Sequence, residues 1–117
     1  MRLFGTDGVR GTVNKDITPE LALRLGKCAG TWARGQSKTH AVIARDTRRS
    51  GPMLGAAIAA GLCRSGLDVY TLGVAPTPAV AFATKQDKGS LGVVISASHN
   101  PPEDNGIKFL VDGRKLW

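Results

Sequence analysis

Between Thr18 and Arg34 the apolar residues return every three or four positions, at Leu21, Leu25, Cys28, Ala29 and Trp32, which is the spacing of one helix face. Thr18 carries a side-chain oxygen for the free amides of a first turn, and Pro19 with Glu20 suits that turn. The pattern therefore predicts a helix over 18–34, ended by Gly35. Ala41-Val42-Ile43-Ala44 is an apolar run of strand length closed by the polar segment 45–51 and predicts a buried strand. Ser50 is placed to cap a second helix, whose apolar positions are Leu54, Ala57, Ile58, Gly61 and Leu62 and which Gly66 stops. Residues 68–72 supply the next strand. Gly73 and Pro76-Thr77-Pro78 turn the chain into a short helix over 79–86, and Leu91 to Ile95 forms the third strand. Ile107 to Val111 forms a further strand, turned by Asp112-Gly113. Strands that alternate with helices need crossover connections, so the expected fold class is α/β, with a parallel sheet covered by helices.

The chain has 117 residues, enough for one domain with a core and too few for two. No apolar run approaches the roughly 18 residues of a membrane span, and Met1 to Gly8 lacks the basic stretch and apolar core of a secretory signal. A cytoplasmic protein with no membrane partner is expected. Cys28 and Cys63 fall in the two predicted helices, on or near their apolar sides, without CxxC or His/Cys ligand spacing. They are expected to be buried, inert thiols, with a disulfide or metal site as the alternative.

Sixteen Lys and Arg against nine Asp and Glu give a net charge of +7, which attracts anions. The basic residues are scattered, their longest runs being the pairs Arg48-Arg49 and Arg114-Lys115, and there are few aromatics for base stacking. That pattern favours a small phosphorylated ligand over nucleic acid.

The segment "ISASHNPPEDNGIK", 95–108, directly follows the strongest apolar run. In an open α/β sheet, ligands bind beyond the carboxyl ends of the strands, and the loop from Ser96 to Gly106 begins there. Ser98 and His99 are neighbours whose side chains point apart in extended chain, and the GxSxG elbow is missing, so a hydrolase triad is not expected. As a phosphate ester, Ser98 would instead present a dianion that backbone amides, Lys108 and nearby arginines could hold. Pro101 and Pro102 stiffen the turn that fixes it. The alternative is an exposed polar turn without chemistry.

Two other segments have paired readings. Gly5-Thr6-Asp7-Gly8-Val9-Arg10-Gly11 is not a GxGxxG fingerprint and no clear strand leads into it. It is either a backbone nest carrying Arg10 toward an anion or a glycine-rich turn. In Asp46-Thr47-Arg48-Arg49-Ser50-Gly51, Arg48 either meets phosphate or braces the loop ahead of the second helix.

Taken together, "RLFGTDGVRG" (2–11), "RDTRRSG" (45–51), "GVAPTPAV" (73–80) and "GVVISASHNPPEDNGIKF" (92–109) resemble the α-D-phosphohexomutase family. They lie in its order and roughly its spacing, and the N-terminal motif favours its phosphoglucosamine mutase branch. The resemblance implies a three-layer α/β/α domain I with a mixed, mostly parallel sheet, occupying 1–117 and incomplete at its C-terminus. It implies that Ser98 is the phosphorylated serine, which exchanges phosphate with the 6- and 1-positions of a hexosamine phosphate through a bisphosphorylated intermediate. Lys108 matches the family's lysine beside the reacting hydroxyl. His99 and Asn100 would support the site, Arg10 would face the phosphoserine, and Arg48 would support phosphate. Mg2+ would bind the phosphoserine oxygen, with its other ligands on a second domain. An isomerase of amino-sugar and peptidoglycan precursor synthesis is implied, with a homodimer as one assembly of the full-length enzyme.

The chain matches only the first of the family's four domains. The aspartate-rich metal loop, the sugar-recognition loop and the phosphate-docking loop are missing from it, so by itself it is expected not to turn over substrate. A strand from Leu116 onward would also leave an unpaired edge, which points to a fragment. A phosphomannomutase or phosphoglucomutase domain is the alternative within the class. Outside it, the alternative is a noncatalytic stub that binds anions or partners through its basic surface.

Overall fold

The computed structural model describes residues 8–116. The first part of the N-terminal motif, through Asp7, and Trp117 lie outside the described residues. Among the described residues, six strands form one sheet: β1 (Val9–Thr12), β2 (His40–Arg45), β3 (Asp68–Val74), β4 (Ser90–Ile95), β5 (Asp104–Val111) and β6 (Arg114–Lys115). The helices are α1 (Pro19–Gly35), α2 (Gly51–Arg64) and α3 (Thr77–Gln86). The sheet order is β1-β5-β4-β2-β3, with β6 paired to β5.

The sheet is mixed and mostly parallel in strand direction as expected: of the described strands, β5 alone runs against the others. β2 runs parallel to both β3 and β4 because helices cross over between them. β5 returns antiparallel to β4 because only the loop 96–103 joins the two, and β1 and β6 pair with β5 antiparallel in turn. Asp112 and Gly113, at φ +54° and +80°, make the two-residue turn into β6. Leu116 then donates its amide to the Phe109 carbonyl at 2.8 Å. β6 lies on the side of β5 away from β4, the side that β1 also takes, so Leu116 borders the sheet among the described residues, as β1 and β3 do.

Side-chain alternation along the strands sorts the core into two layers. Ala41, Ile43, Leu91, Val93, Ile95, Ile107 and Phe109 meet Leu25, Leu54, Ile58 and Leu62 from α1 and α2. On the opposite face, Ala44, Val94 and Leu110 meet Val80 of α3. The result is the three-layer α/β/α arrangement. α3 sits close because β4 carries Gly92 beneath it: a Cβ there would come within 2.6 Å of Val80 and 2.8 Å of Thr84.

Several local expectations are corrected. The first helix has its Thr18 cap, whose hydroxyl accepts from the Leu21 amide at 3.0 Å, but it runs through Gly35, and the left-handed residue after it is Ser37, at φ +64°. Its buried stripe is Ala22, Leu25, Gly26, Gly30 and Ala33, which turns Cys28 outward. Cys28 and Cys63 are both free and exposed, not buried. The cause is the glycine contact between α1 and α2. A Cβ on Gly61 would stand 2.3 Å from the Leu23 carbonyl oxygen, and one on Gly26 would stand 2.4 Å from that of Ile58. Backbone meets backbone there, so glycines occupy the interface and larger side chains are displaced from it. Gly61→Ala is expected to cost about 3 kcal/mol despite the roughly 1 kcal/mol that alanine gains in helix propensity. A thermal melt lowered by roughly 10 °C or more checks this, and an unchanged melt would show that the helices separate without penalty.

Ser50 precedes α2 but makes no side-chain cap. Its hydroxyl instead accepts from Nδ2 of the fully buried Asn105 at 2.8 Å, which ties the start of α2 to β5. The glycine-rich N-terminal segment, read as a turn or nest, contributes strand β1 from Val9 on. At the far end of the sheet, Nε2 of His40 lies 2.7 Å from Oδ2 of Asp87. That hydrogen bond, followed by one from the Gly89 amide, holds the Asp87 carboxyl below its ordinary pKa.

Candidate functional site

Four strand ends converge at one end of the sheet. β2 and β4 finish there in register, Arg45 opposite Ile95, while β5 begins with Asp104 opposite Thr12 at the finish of β1. The loops 46–50 and 96–103 consequently lie side by side, and Asp46 donates its amide to the Ile95 carbonyl at 3.1 Å.

Ser98 is exposed at this mouth with φ +54°, a left-handed backbone uncommon for any residue other than glycine, asparagine or aspartate. The loop determines that conformation from both sides. The Ser98 amide donates to Oγ of Ser96 at 3.1 Å, and the Ser98 carbonyl accepts from Nη2 of Arg48 at 2.8 Å. The Ser96 amide is itself fixed to the Gly106 carbonyl at 3.0 Å. Strain of this kind, held by surrounding bonds, is characteristic of functional positions.

Arg48 is the brace. Its guanidinium donates to the carbonyls of Ser98, Asn100, Pro101 and Asp104 at 2.6–3.1 Å. Asp46 holds it from behind, Oδ2 accepting from Nε at 3.0 Å and Oδ1 from the Arg48 amide at 3.1 Å. A planar fork with five donors is suited to this bridging in a way that a lysine ammonium is not.

Arg10 approaches from β1. Its Nη2 donates to Oγ of Ser98 at 3.4 Å, and its Nη1 donates to Oδ1 of Asn100 at 3.2 Å and to the Ala97 carbonyl at 3.3 Å. The register that sets Arg10 opposite Gly106 is possible because residue 106 lacks a side chain: a Cβ there would stand 2.9 Å from Cγ of Arg10. Lys108, two residues further along β5 and on the same face as Arg10, is 8% exposed. Gly8 makes room for its stem, since a Cβ on that residue would lie 2.9 Å from Cγ of Lys108. A depression of about 470 Å³ opens beside the serine, lined by Arg48, Arg49, Ser98 and Asn100 among others.

Ser98, Arg10, Asn100 and Arg48 are thus brought together in direct contact or through the loop backbone. His99 is exposed and has no hydrogen bond among the described residues. Among the described residues no three His, Cys, Asp or Glu side chains gather as metal ligands. The described residues therefore do not by themselves fit a self-contained Mg2+ site. Asp46, Ser96 and Asp104 were not expected to matter. Their roles depend on which side chain the loop folds against, and residue spacing does not carry that information.

The family model for the phosphoglucomutase/phosphomannomutase α/β/α domain I matches residues 1–116. The chain belongs to that family. As a domain of this family it is 59% identical over 119 aligned positions to the phosphoglucosamine mutase of Symbiobacterium thermophilum, covering 98% of this chain and 27% of that protein. It is 53% identical over 116 positions to the phosphoglucosamine mutase of Thermosipho africanus, covering 99% of this chain and 26% of the relative. Among solved structures, a phosphoglucomutase/phosphomannomutase family protein from Burkholderia thailandensis superposes with a TM-score of 0.85 at 35% identity, over 95% of this chain and 26% of that one. The chain therefore spans about a quarter of the length of these relatives. Among the described residues, no helix of this phosphohexomutase domain is long and apolar enough to cross a membrane.

Proposed function

We propose that this domain carries the phosphoryl-transferring serine of a phosphoglucosamine mutase, which interconverts glucosamine 6-phosphate and glucosamine 1-phosphate. The observation that supports this most is Ser98 itself. Its hydroxyl stands on a left-handed residue at the sheet mouth, 3.4 Å from a guanidinium nitrogen of Arg10, with the loop pinned by Arg48.

In the forward half-reaction the bond from phosphorus to Oγ of Ser98 breaks as a bond forms from phosphorus to a sugar hydroxyl oxygen, which surrenders its proton. The bisphosphorylated sugar then returns its other phosphoryl group to the serine, and the sugar oxygen so released takes up a proton in place of the one surrendered, which leaves the proton count unchanged over the cycle. A loose phosphoryl transition state calls chiefly for alignment and for positive charge near the equatorial oxygens. Arg10 supplies that charge from β1, Arg48 holds the serine in line, and Lys108 is the group we assign to the reacting hydroxyl, as acid, base or fixed charge. Asn100 orients Arg10, and His99, exposed next to Ser98, supports the same site. When bound, Mg2+ would neutralise charge on the phosphoserine, with the remainder of its ligands coming from beyond this domain. The phosphoglucosamine mutases named above support the choice of sugar.

The complete polypeptide, incubated with a hexosamine bisphosphate and examined by intact and peptide mass spectrometry, should gain one phosphoryl group on Ser98. Failure to label that residue under turnover conditions would overturn the proposal.

A further inference from the structure

Resting on the reading just given, we infer that Asp104 is a positioning residue for phosphoryl transfer: through Asn100 it sets the side of the amide that Arg10 meets, and so aims Arg10 at Ser98. Three contacts form the path. Oδ2 of Asp104 accepts from Nδ2 of Asn100 at 3.1 Å, Oδ1 of Asn100 accepts from Nη1 of Arg10 at 3.2 Å, and Nη2 of Arg10 donates to Oγ of Ser98 at 3.4 Å. The second oxygen of Asp104 accepts from the hydroxyl of Thr12 at 3.3 Å, which fixes the plane of the carboxylate from β1.

The chemistry of the two ends is what makes this path directional. A carboxylate only accepts hydrogen bonds and a guanidinium only donates them, so the amide between them has one satisfactory orientation, Nδ2 toward Asp104 and Oδ1 toward Arg10. Arg10 alone already favours Oδ1 on its side, and Asp104 adds the fixed acceptor for Nδ2 that holds the amide in that orientation and plane. Flipped, it would set two donors against each other and displace the guanidinium from the serine. Asp104 and Thr12 face each other in the β1–β5 ladder, so the alignment is referred to the sheet and not to the loop.

Exchange of the two side chains tests this. Asp104→Asn replaces the charged acceptor-only end by an amide that can turn either an oxygen or a donor to Asn100, and Asn100→Asp sets two carboxylates against each other. The double variant, Asn100→Asp with Asp104→Asn, restores one donor facing one acceptor, leaves an acceptor for Arg10 and keeps the net charge. In the complete enzyme each single variant is expected to lower kcat by about 10- to 100-fold, with KM for the hexosamine phosphate within about twofold, because alignment is lost and binding is not. The double variant should recover most of that loss. If one single variant fails to fold, the gain of the double variant over the other single still tests the pairing as a rescue. Turnover of either folded single variant at the wild-type rate, or a double variant no faster than the singles, would overturn the assignment. Ser98→Ala assayed alongside separates the two claims: an active Ser98→Ala enzyme removes the underlying function, while an inactive one leaves the Asp104 result to be judged by the cycle.

Discussion

Ser98→Ala in the complete enzyme should lower mutase turnover by at least about 10⁴-fold while leaving the fold intact, since the variant removes the protein oxygen that the proposed reaction bonds to phosphorus. Two further substitutions at the same position separate the hydroxyl from the backbone that carries it. Ser98 holds φ +54°, which glycine adopts without penalty. Ser98→Gly should therefore be inactive yet more stable, by about 1 kcal/mol, as the left-handed strain is released. Ser98→Thr keeps a hydroxyl but adds a branch at Cβ, which this backbone region tolerates worst. It should be less stable than the parent and nearly inactive, because the loop must shift to admit it. Thermal melts and turnover measured together check all three. A Ser98→Thr enzyme with parental activity would show that the left-handed backbone has no part in placing the nucleophile.

That opposition between stability and activity at one residue also shows how far the sequence can be read. The apolar runs at 41–44 and 91–95 and the helical spacing at 54, 58, 61 and 62 report burial against a sheet, and burial is a property of each segment that periodicity encodes. The placement of "SASHNP" after the apolar strand β4 was legible for the same reason, since loops at the carboxyl ends of strands in such sheets are where ligands bind. What was not legible depends on pairs of segments. Cys28 was expected to be buried because the apolar stripe of α1 was read in isolation, whereas the partner helix brings Gly61 against Leu23 and rotates the stripe to Gly26 and Gly30. Val9–Thr12 did not read as a strand because Arg10 and Gly11 separate its two strand formers, Val9 and Thr12, within four residues, and β5 pairs with them nonetheless. Asp104 looked like one more acid in a polar turn. Its importance comes from Thr12 and Asn100, which stand 92 and 4 residues away in sequence.

Arg48 distinguishes a phosphate ligand from a brace, and the expected result depends on geometry more than on charge. Its guanidinium reaches four carbonyls distributed on both sides of the Pro101-Pro102 turn, so it closes the loop as a ring around one planar group. Arg48→Lys keeps the positive charge but offers a single compact donor, which cannot span those four oxygens. If Arg48 served mainly as a positive charge for phosphate, the lysine variant would retain most of the activity. As a brace, it should not: turnover of the complete enzyme should fall on the order of 100-fold, because the serine is no longer held in line. The stability loss should be modest, about 1–2 kcal/mol, since carbonyls near the surface regain water when the arginine is removed. Hydrogen exchange gives an independent reading at two amides inside the braced loop, that of Asn100, bonded to the Ala97 carbonyl, and that of Asp104, bonded to the Pro101 carbonyl. Both should exchange faster in Arg48→Lys while the amides of β4 keep their protection. Asp46→Asn should reproduce the effect in weaker form, because it loosens the carboxylate grip on Nε while leaving all four carbonyl contacts in place. A lysine variant with parental turnover and unchanged exchange at Asn100 would return Arg48 to the role of a phosphate ligand and leave Ser98 held by its own loop.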